Sequence, residues 1–140
     1  MRKTILGIAA TAMLAPMVWA EDLVILQTND THSQLDQTDK GLGGIQRRKA
    51  LIDSIRAEHP NVLLTDAGDA VQGTLFFTLY GGRAEMEAMN ALGYDIAILG
   101  NHDFDNGVDS LARNISMSDA KWISTNYDFS ERPDLDSVFE

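Results

Sequence analysis

The sequence predicts an α/β fold with a mostly parallel sheet, and three observations carry the prediction. Short aliphatic runs recur at Leu23 to Leu26, Val62 to Leu64 and Ile96 to Leu99. The stretches between them have helical periodicity, the alternation expected of βαβ units. Each run leads into a polar cluster: Asp30-Thr31-His32, Asp69, and Gly100-Asn101-His102-Asp103. Right-handed crossovers bring parallel strands out at one edge. Ligands of open α/β sheets bind beyond the carboxyl ends of the strands, so the three clusters are expected to converge.

Ahead of the first strand, Met1-Arg2-Lys3 is basic, Ile5 to Ala15 is apolar, and Val18-Trp19-Ala20 has small or short residues where a signal peptidase inspects the chain. Residues 1–20 are therefore expected to be a cleavable export signal. A membrane anchor needs around 20 uninterrupted apolar residues, and Pro16 and Glu21-Asp22 cut this run short. The chain has no cysteine, which rules out lipoprotein attachment and a disulfide framework.

The first strand, Leu23 to Gln27, leads into a polar loop from Thr28 to Lys40. Gly41-Leu42-Gly43-Gly44 opens a helix whose apolar positions Ile45, Leu51, Ile52 and Ile55 are expected on one face. It ends near His59-Pro60, because proline disfavours helical geometry in the residue before it. Asn61 to Thr65 reads as the second strand and runs into Asp66-Ala67-Gly68-Asp69. A mixed segment follows through Phe77. Arg83 to Leu92 carries Met86, Met89 and Leu92 at spacing three, a buried helical face with methionine as core filler, and Gly93 is a C-cap. Asp95 to Leu99 is the third strand, Val108 to Ile115 a short helix, and Lys121 to Thr125 a fourth strand; beyond Asn126 the chain turns polar.

Without residues 1–20 the chain has 9 basic and 21 acidic residues, a net charge of −12. Nucleic-acid binding needs a basic face to replace condensed counterions, and only Arg47-Arg48-Lys49 cluster here. Neither nucleic acid nor, after signal cleavage, a membrane is an expected partner. The acidity fits solubility and attraction of cations.

Asp30 and His32 are two residues apart, so in an extended stretch their side chains point the same way and can grip one cation. Asp69 follows a glycine, which lets the backbone turn sharply and present the carboxylate as a bridge between two cations. Asn101 offers a neutral amide oxygen to the second. Ligation by carboxylate, imidazole and amide without sulfur suits Zn, Mn, Fe or Mg. A metal pair about 3.5–4 Å apart can share a hydroxide and clamp the attacking and leaving oxygens of a displacement at phosphorus. His102 is then free to stabilise phosphoryl charge or protonate the leaving oxygen, with Asp105 holding its tautomer.

Other motifs read more plainly. Asp66 is expected to order its loop by hydrogen bonding, and His59 to be an exposed cation at a helix C-terminus. Gly41 to Gly44 lacks the third glycine of a dinucleotide loop and the lysine of a P-loop. Asp103 to Gly107 has its glycine one position early for a calcium loop. The glycosylation patterns at Asn29 and Asn114 are read as coincidental.

Thr28-Asn29-Asp30-Thr31-His32-Ser33, Asp66-Ala67-Gly68-Asp69 with Gln72-Gly73-Thr74, and Gly100-Asn101-His102-Asp103-Phe104-Asp105 resemble the first three signature blocks of exported bacterial 5'-nucleotidases, in the calcineurin-like metallophosphoesterase superfamily. Order and spacing agree. The resemblance runs from about Leu23 to Tyr127 and includes Met89-Asn90-Ala91-Leu92-Gly93-Tyr94-Asp95. It implies the N-terminal part of a four-layer α/β/β/α sandwich and hydrolysis of nucleoside 5'-monophosphates or related phosphate esters. It also implies two divalent metal ions and a periplasmic or secreted location. By the same resemblance Asp30 and His32 hold the first metal, Asp69 bridges, Asn101 holds the second, and His102 with Asp105 forms the catalytic dyad.

Members of that family add histidines, with a final histidine or glutamine, from blocks downstream of the Asn-His motif, and a specificity domain that stacks on the nucleobase. The histidines here are His32, His59 and His102. Residues 21–140 are therefore expected to be the N-terminal portion of a phosphoesterase domain, whether a truncated product or an incomplete sequence. Alone it is expected to be a poor catalyst, with an uncovered sheet face open to a complementary C-terminal fragment. The alternative is a non-catalytic remnant or metal-binding module of the same fold, and two further histidine blocks downstream would decide for the enzyme. Cyclic phosphodiesterases, nucleotide-sugar hydrolases and thiosulfate-ester hydrolases share the early motifs.

Overall fold

Each aliphatic run pairs with the next along the chain. In the computed structural model, which describes residues 22–139, the strands are β1 (Val24–Thr28), β2 (Val62–Asp66), β3 (Ile96–Ala97) and β4 (Lys121–Trp122). They form one parallel sheet in the order β1-β2-β3-β4. The register aligns Thr28 with Asp66 and Asp66 with Ala97, so three strands end at the same level. The expected signal peptide lies outside the described residues. No helix among those described is long and apolar enough to cross a membrane.

The crossovers are helical. α1 (Ile45–Glu58) joins β1 to β2, α2 (Leu75–Tyr80) and α3 (Arg83–Leu92) join β2 to β3, and α4 (Val108–Ser116) joins β3 to β4. Consecutive parallel neighbours with right-handed crossovers carry their helices on one face of the sheet. The core lies there, formed by Leu64, Ala97 and Trp122 of the sheet with Ile52, Met86, Met89, Leu92, Leu111 and Ile115 of the helices. The burial of Met86, Met89 and Leu92 and the left-handed cap at Gly93, with φ 71°, match the sequence reading. Leu23, Ile25 and Ile98 are exposed large apolar residues, as a parallel sheet covered on one face only would leave them.

Several local expectations are corrected. In α1 only Ile52 is buried and Leu51 is 62 % exposed, because position 51 falls a third of a turn away from the stripe of Ile45 and Ile52. The third strand stops at Ala97 rather than Leu99, since the N–H of Gly100 is taken by the Asp103 carboxylate at 2.8 Å and the chain leaves the sheet to reach it. The fourth strand stops at Trp122 for want of a longer neighbour, Ile123 N–H bonding to Ala97 as the last rung. The mixed segment contains α2, nucleated by Thr74, whose hydroxyl accepts the N–H of Phe76 at 3.2 Å. A four-residue helix α5 (Pro133–Asp136) also forms in the polar tail and buries Leu135 against the core.

Candidate active site

The loops after β1 and β2 continue side by side beyond the sheet. Ala67 N–H donates to Thr28 O, Asp30 N–H to Gly68 O, His32 N–H to Asp69 O and Ser33 N–H to Ala70 O, all at 2.9–3.0 Å. The backbone between these rungs is not extended. Asp30, His32, Ser33, Asp69 and Gln72 all have φ between 43° and 79°, and they are the non-glycine residues with positive φ among those described. Such a conformation costs roughly 1–3 kcal/mol per residue and persists only where surrounding bonds enforce it, a cost usually met at functional sites. The expectation that Asp30 and His32 face one way because the chain is extended is therefore corrected: left-handed turns bring them together instead.

Together they are. One ligand atom each from Asp30, His32 and Asp69 lies within 4.8 Å of the other two. Asp30 Oδ1 is 3.7 Å from His32 Nε2. That is too long for a hydrogen bond, yet two atoms at this separation can both touch one cation at the usual distance of about 2.0–2.2 Å. The Nδ1 of His32 is buried and has no hydrogen-bond partner among the described residues. A hard, sulfur-free donor set with an imbalance of negative charge fits Zn, Mn, Fe or Mg.

The third loop locks onto the second. Gly68, at φ 98°, lies so close to it that a Cβ there would stand 2.5 Å from the Gly100 nitrogen. The N–H of His102 donates to Asp69 Oδ1 at 2.7 Å, and Asp103 Oδ2 accepts the N–H groups of both Asp69 and Gly100, at 3.1 and 2.8 Å. A 3₁₀ turn over His102–Phe104 then brings Asp105 back under the imidazole, where its Oδ2 is 2.9 Å from His102 Nδ1. The rings of His32 and His102 meet edge to face with centroids 5.2 Å apart. Asn101 is exposed at the start of this turn, its carbonyl accepting Phe104 N–H. Asp30, His32, Asp69, His102 and Asp105 thus lie in one contiguous array, while Asn101 sits on the rim beside His102.

The hydrogen bond to Asp105, before the charge of that carboxylate, holds the His102 imidazole above its ordinary pKa. Burial pushes Asp103 up to about 6, against the two backbone N–H bonds that favour its ionised form. Burial likewise raises Asp66, whose Oδ1 accepts the N–H of Gly68 at 3.0 Å, so its expected loop-ordering role is seen directly. His59 is exposed at the end of α1, as expected. The sequence reading gave Asp103 no role of its own, although it is the residue that clamps two loops together. Its position next to the Asn-His pair was the one available signal.

The chain belongs to the calcineurin-like phosphoesterase family, whose model matches residues 23–139. Human 5'-nucleotidase is 46 % identical in a match covering 74 % of this chain and 20 % of that protein. Among solved structures, a 5'-nucleotidase precursor from Thermus thermophilus superposes with a TM-score of 0.78 at 40 % identity, covering 84 % of this chain and 24 % of the other. The NAD nucleotidase of Haemophilus influenzae gives 0.70 at 36 % identity, over 74 % of this chain and 20 % of its own. The chain thus spans about a fifth of the length of the curated relatives it matches.

Proposed function

We propose that this chain carries the first part of the active site of an exported, metal-dependent phosphoric-ester hydrolase acting on nucleoside 5'-monophosphates or related nucleotides. The observation that carries the reading is the array itself: three metal-ligating side chains within 4.8 Å of one another, bonded through Asp69 to the loop of a histidine–aspartate pair. Residues 1–20 act as the export signal, giving a periplasmic or secreted protein, and 21–140 form the N-terminal portion of the phosphoesterase domain.

Asp30 and His32 would hold one divalent cation, Asp69 would touch two, and Asn101 would hold the second. Bound there, the cations supply Lewis acidity, lowering the pKa of water and drawing charge from phosphoryl oxygens. His102 does the proton work. With Nδ1–H held by Asp105, which raises the pKa of the ring, the protonated imidazole can give its Nε2 proton to the departing ester oxygen. The peptide N–H of His102 keeps the Asp69 carboxylate from rotating, and the edge contact sets the imidazole beside His32.

The test is to load the purified protein with Mn²⁺ or Zn²⁺ and follow phosphate release from a nucleoside 5'-monophosphate, with a nonhydrolysable analogue as control. Metal uptake, with phosphate release that is slow from the chain alone and rises when a complementary C-terminal fragment of a relative is added, supports the reading. Metal uptake without turnover, even after adding a complementary C-terminal fragment of a relative, favours the metal-binding module.

A further inference from the structure

The loops that bring the ligand residues together are rooted in a polar chain, buried at Asp66 and Tyr94 and half-buried at Thr28, whose members are not ligands. Thr28 Oγ1 donates to Asp66 Oδ2 at 2.6 Å and lies 2.6 Å from the hydroxyl of Tyr94. A hydroxyl has one proton. With the Thr28 proton on Asp66, the proton between the two hydroxyls belongs to Tyr94, so the bonds run from Tyr94 to Thr28 to Asp66. The other oxygen of Asp66 accepts the N–H of Gly68. Asp66 and Tyr94 are 4 % and 5 % exposed, and Arg48 of α1 lines the same pocket, its positive charge acting on both.

We propose that Thr28, Asp66 and Tyr94 are positioning residues that set the metal ligands, a proposal that rests on the reading of Asp30, His32 and Asp69 as ligands. Thr28 stands two residues before Asp30, and Gly68 immediately precedes Asp69. Tyr94 stands just before β3, from which the loop bearing His102 springs. One hydrogen-bonded chain therefore references the first two ligand-bearing loops to a common point and anchors it to the segment that enters β3. The backbone rungs between the loops fix their spacing, but a turn with positive φ at Asp69 also needs its direction fixed, and the Gly68-to-Asp66 bond does this. Removing the Thr28 hydroxyl leaves Asp66 Oδ2 free to rotate, and the Gly68 turn with it.

The experiment measures Mn²⁺ affinity by calorimetric titration, and melting temperature in chelator, for the full chain and for Thr28→Val, Thr28→Ser, Tyr94→Phe and the control Asp30→Ala. Thr28→Val keeps the β-branched shape the strand prefers and removes only the hydroxyl. It and Tyr94→Phe should each weaken Mn²⁺ binding about 10–100-fold, the usual effect of removing a group that orients a metal ligand. Thr28→Ser should restore wild-type affinity, and the Thr28→Val/Tyr94→Phe double variant should be no weaker than the worse single one, because both cut the same chain. Wild-type affinity in Tyr94→Phe, which conserves the buried ring and so keeps the test open if Thr28→Val does not fold, overturns the proposal. So does a loss in Thr28→Val that Thr28→Ser does not restore. If Asp30→Ala binds Mn²⁺ as tightly as wild type, it is the metal site itself that fails.

Discussion

The backbone N–H of His102 donates to Oδ1 of Asp69 at 2.7 Å. This one bond ties the carboxylate at the centre of the ligand cluster to the peptide of the residue placed to handle the proton. Metal retention and proton transfer are thereby given to different atoms of neighbouring residues, and substitutions can separate them.

Asp69 should dominate metal retention. Its carboxylate is buried, at 8 % exposure, close to both Asp30 and His32, whereas Asn101 is exposed on the rim. Asp69→Asn keeps the shape and an oxygen for the His102 N–H but removes the charge. It should lose at least the roughly tenfold affinity typical of a lost supporting contact, and more than Asn101→Ala loses. Elemental analysis after dialysis checks this, and equal metal in Asp69→Asn and wild type would sink the bridging role.

In a complete protein carrying this segment, His102→Ala should keep its metal and lose turnover, because the hydrogen bond from residue 102 to the ligand cluster is made by its peptide N–H, which alanine retains. A general acid contributes about 10²–10⁴-fold to rate. Asp105→Asn should fall between, and the alkaline limb of its pH–rate profile should move to lower pH, since the hydrogen bond His102 donates to Asp105 is the first cause of its raised pKa. Metal loss in proportion to activity in His102→Ala would make His102 a ligand instead.

Asp103 offers a prediction about stability in the metal-free protein. Its pKa is raised to about 6 from an ordinary 3.8, first by burial. The native state therefore holds this proton more tightly than the unfolded chain does. The contribution is fully present below about pH 4 and is lost as pH rises through 6. Asp103→Asn keeps an oxygen for the Asp69 and Gly100 N–H groups without the charge. It should be more stable than wild type at pH 7 in chelator, by of order 1–3 kcal/mol, with the difference vanishing near pH 4. Denaturant melts at the two pH values read it directly, and a variant less stable at pH 7 than at pH 4, relative to wild type, would contradict the burial argument.

What the sequence made legible was whatever repeats at a fixed spacing. The aliphatic runs located three strands, the Met86, Met89 and Leu92 spacing located the buried face of α3, and the polar clusters at the strand ends located the loops that bring Asp30, His32 and Asp69 together. What it hid depends on contacts between distant residues. α2 is apolar around its axis except at Thr78 and buries none of its residues, so it shows no amphipathic period, and its signals are only the Thr74 cap and the left-handed Gly81. The left-handed turns at Asp30 and His32 are imposed by bonds to the second loop, which no local pattern encodes. Asp103 differs from a solvated loop aspartate only by the two amides that fold back onto it.

Gly100→Ala tests whether the close approach of the second and third loops is required. A Cβ on Gly100 would stand 2.5 Å from the nitrogen of Asp69 and 2.6 Å from its Cγ, with Oδ1 nearer still. Real Cβ atoms do not tolerate such contacts, and the obstruction cannot swing aside. One contact is backbone, and the other is a carboxylate held by the His102 N–H. The third loop must therefore retreat, breaking its two bonds with Asp69, His102 N–H to the carboxylate and Asp69 N–H to Asp103. Overpacking of this kind costs about 1–3 kcal/mol, and the displaced Asp69 should also bind metal less well. Melting in chelator reports the first effect and Mn²⁺ titration the second. A Gly100→Ala protein with wild-type melting and wild-type metal uptake would show that the two loops are free to separate, and that the array around Asp69 is not held as rigidly as its hydrogen bonds require.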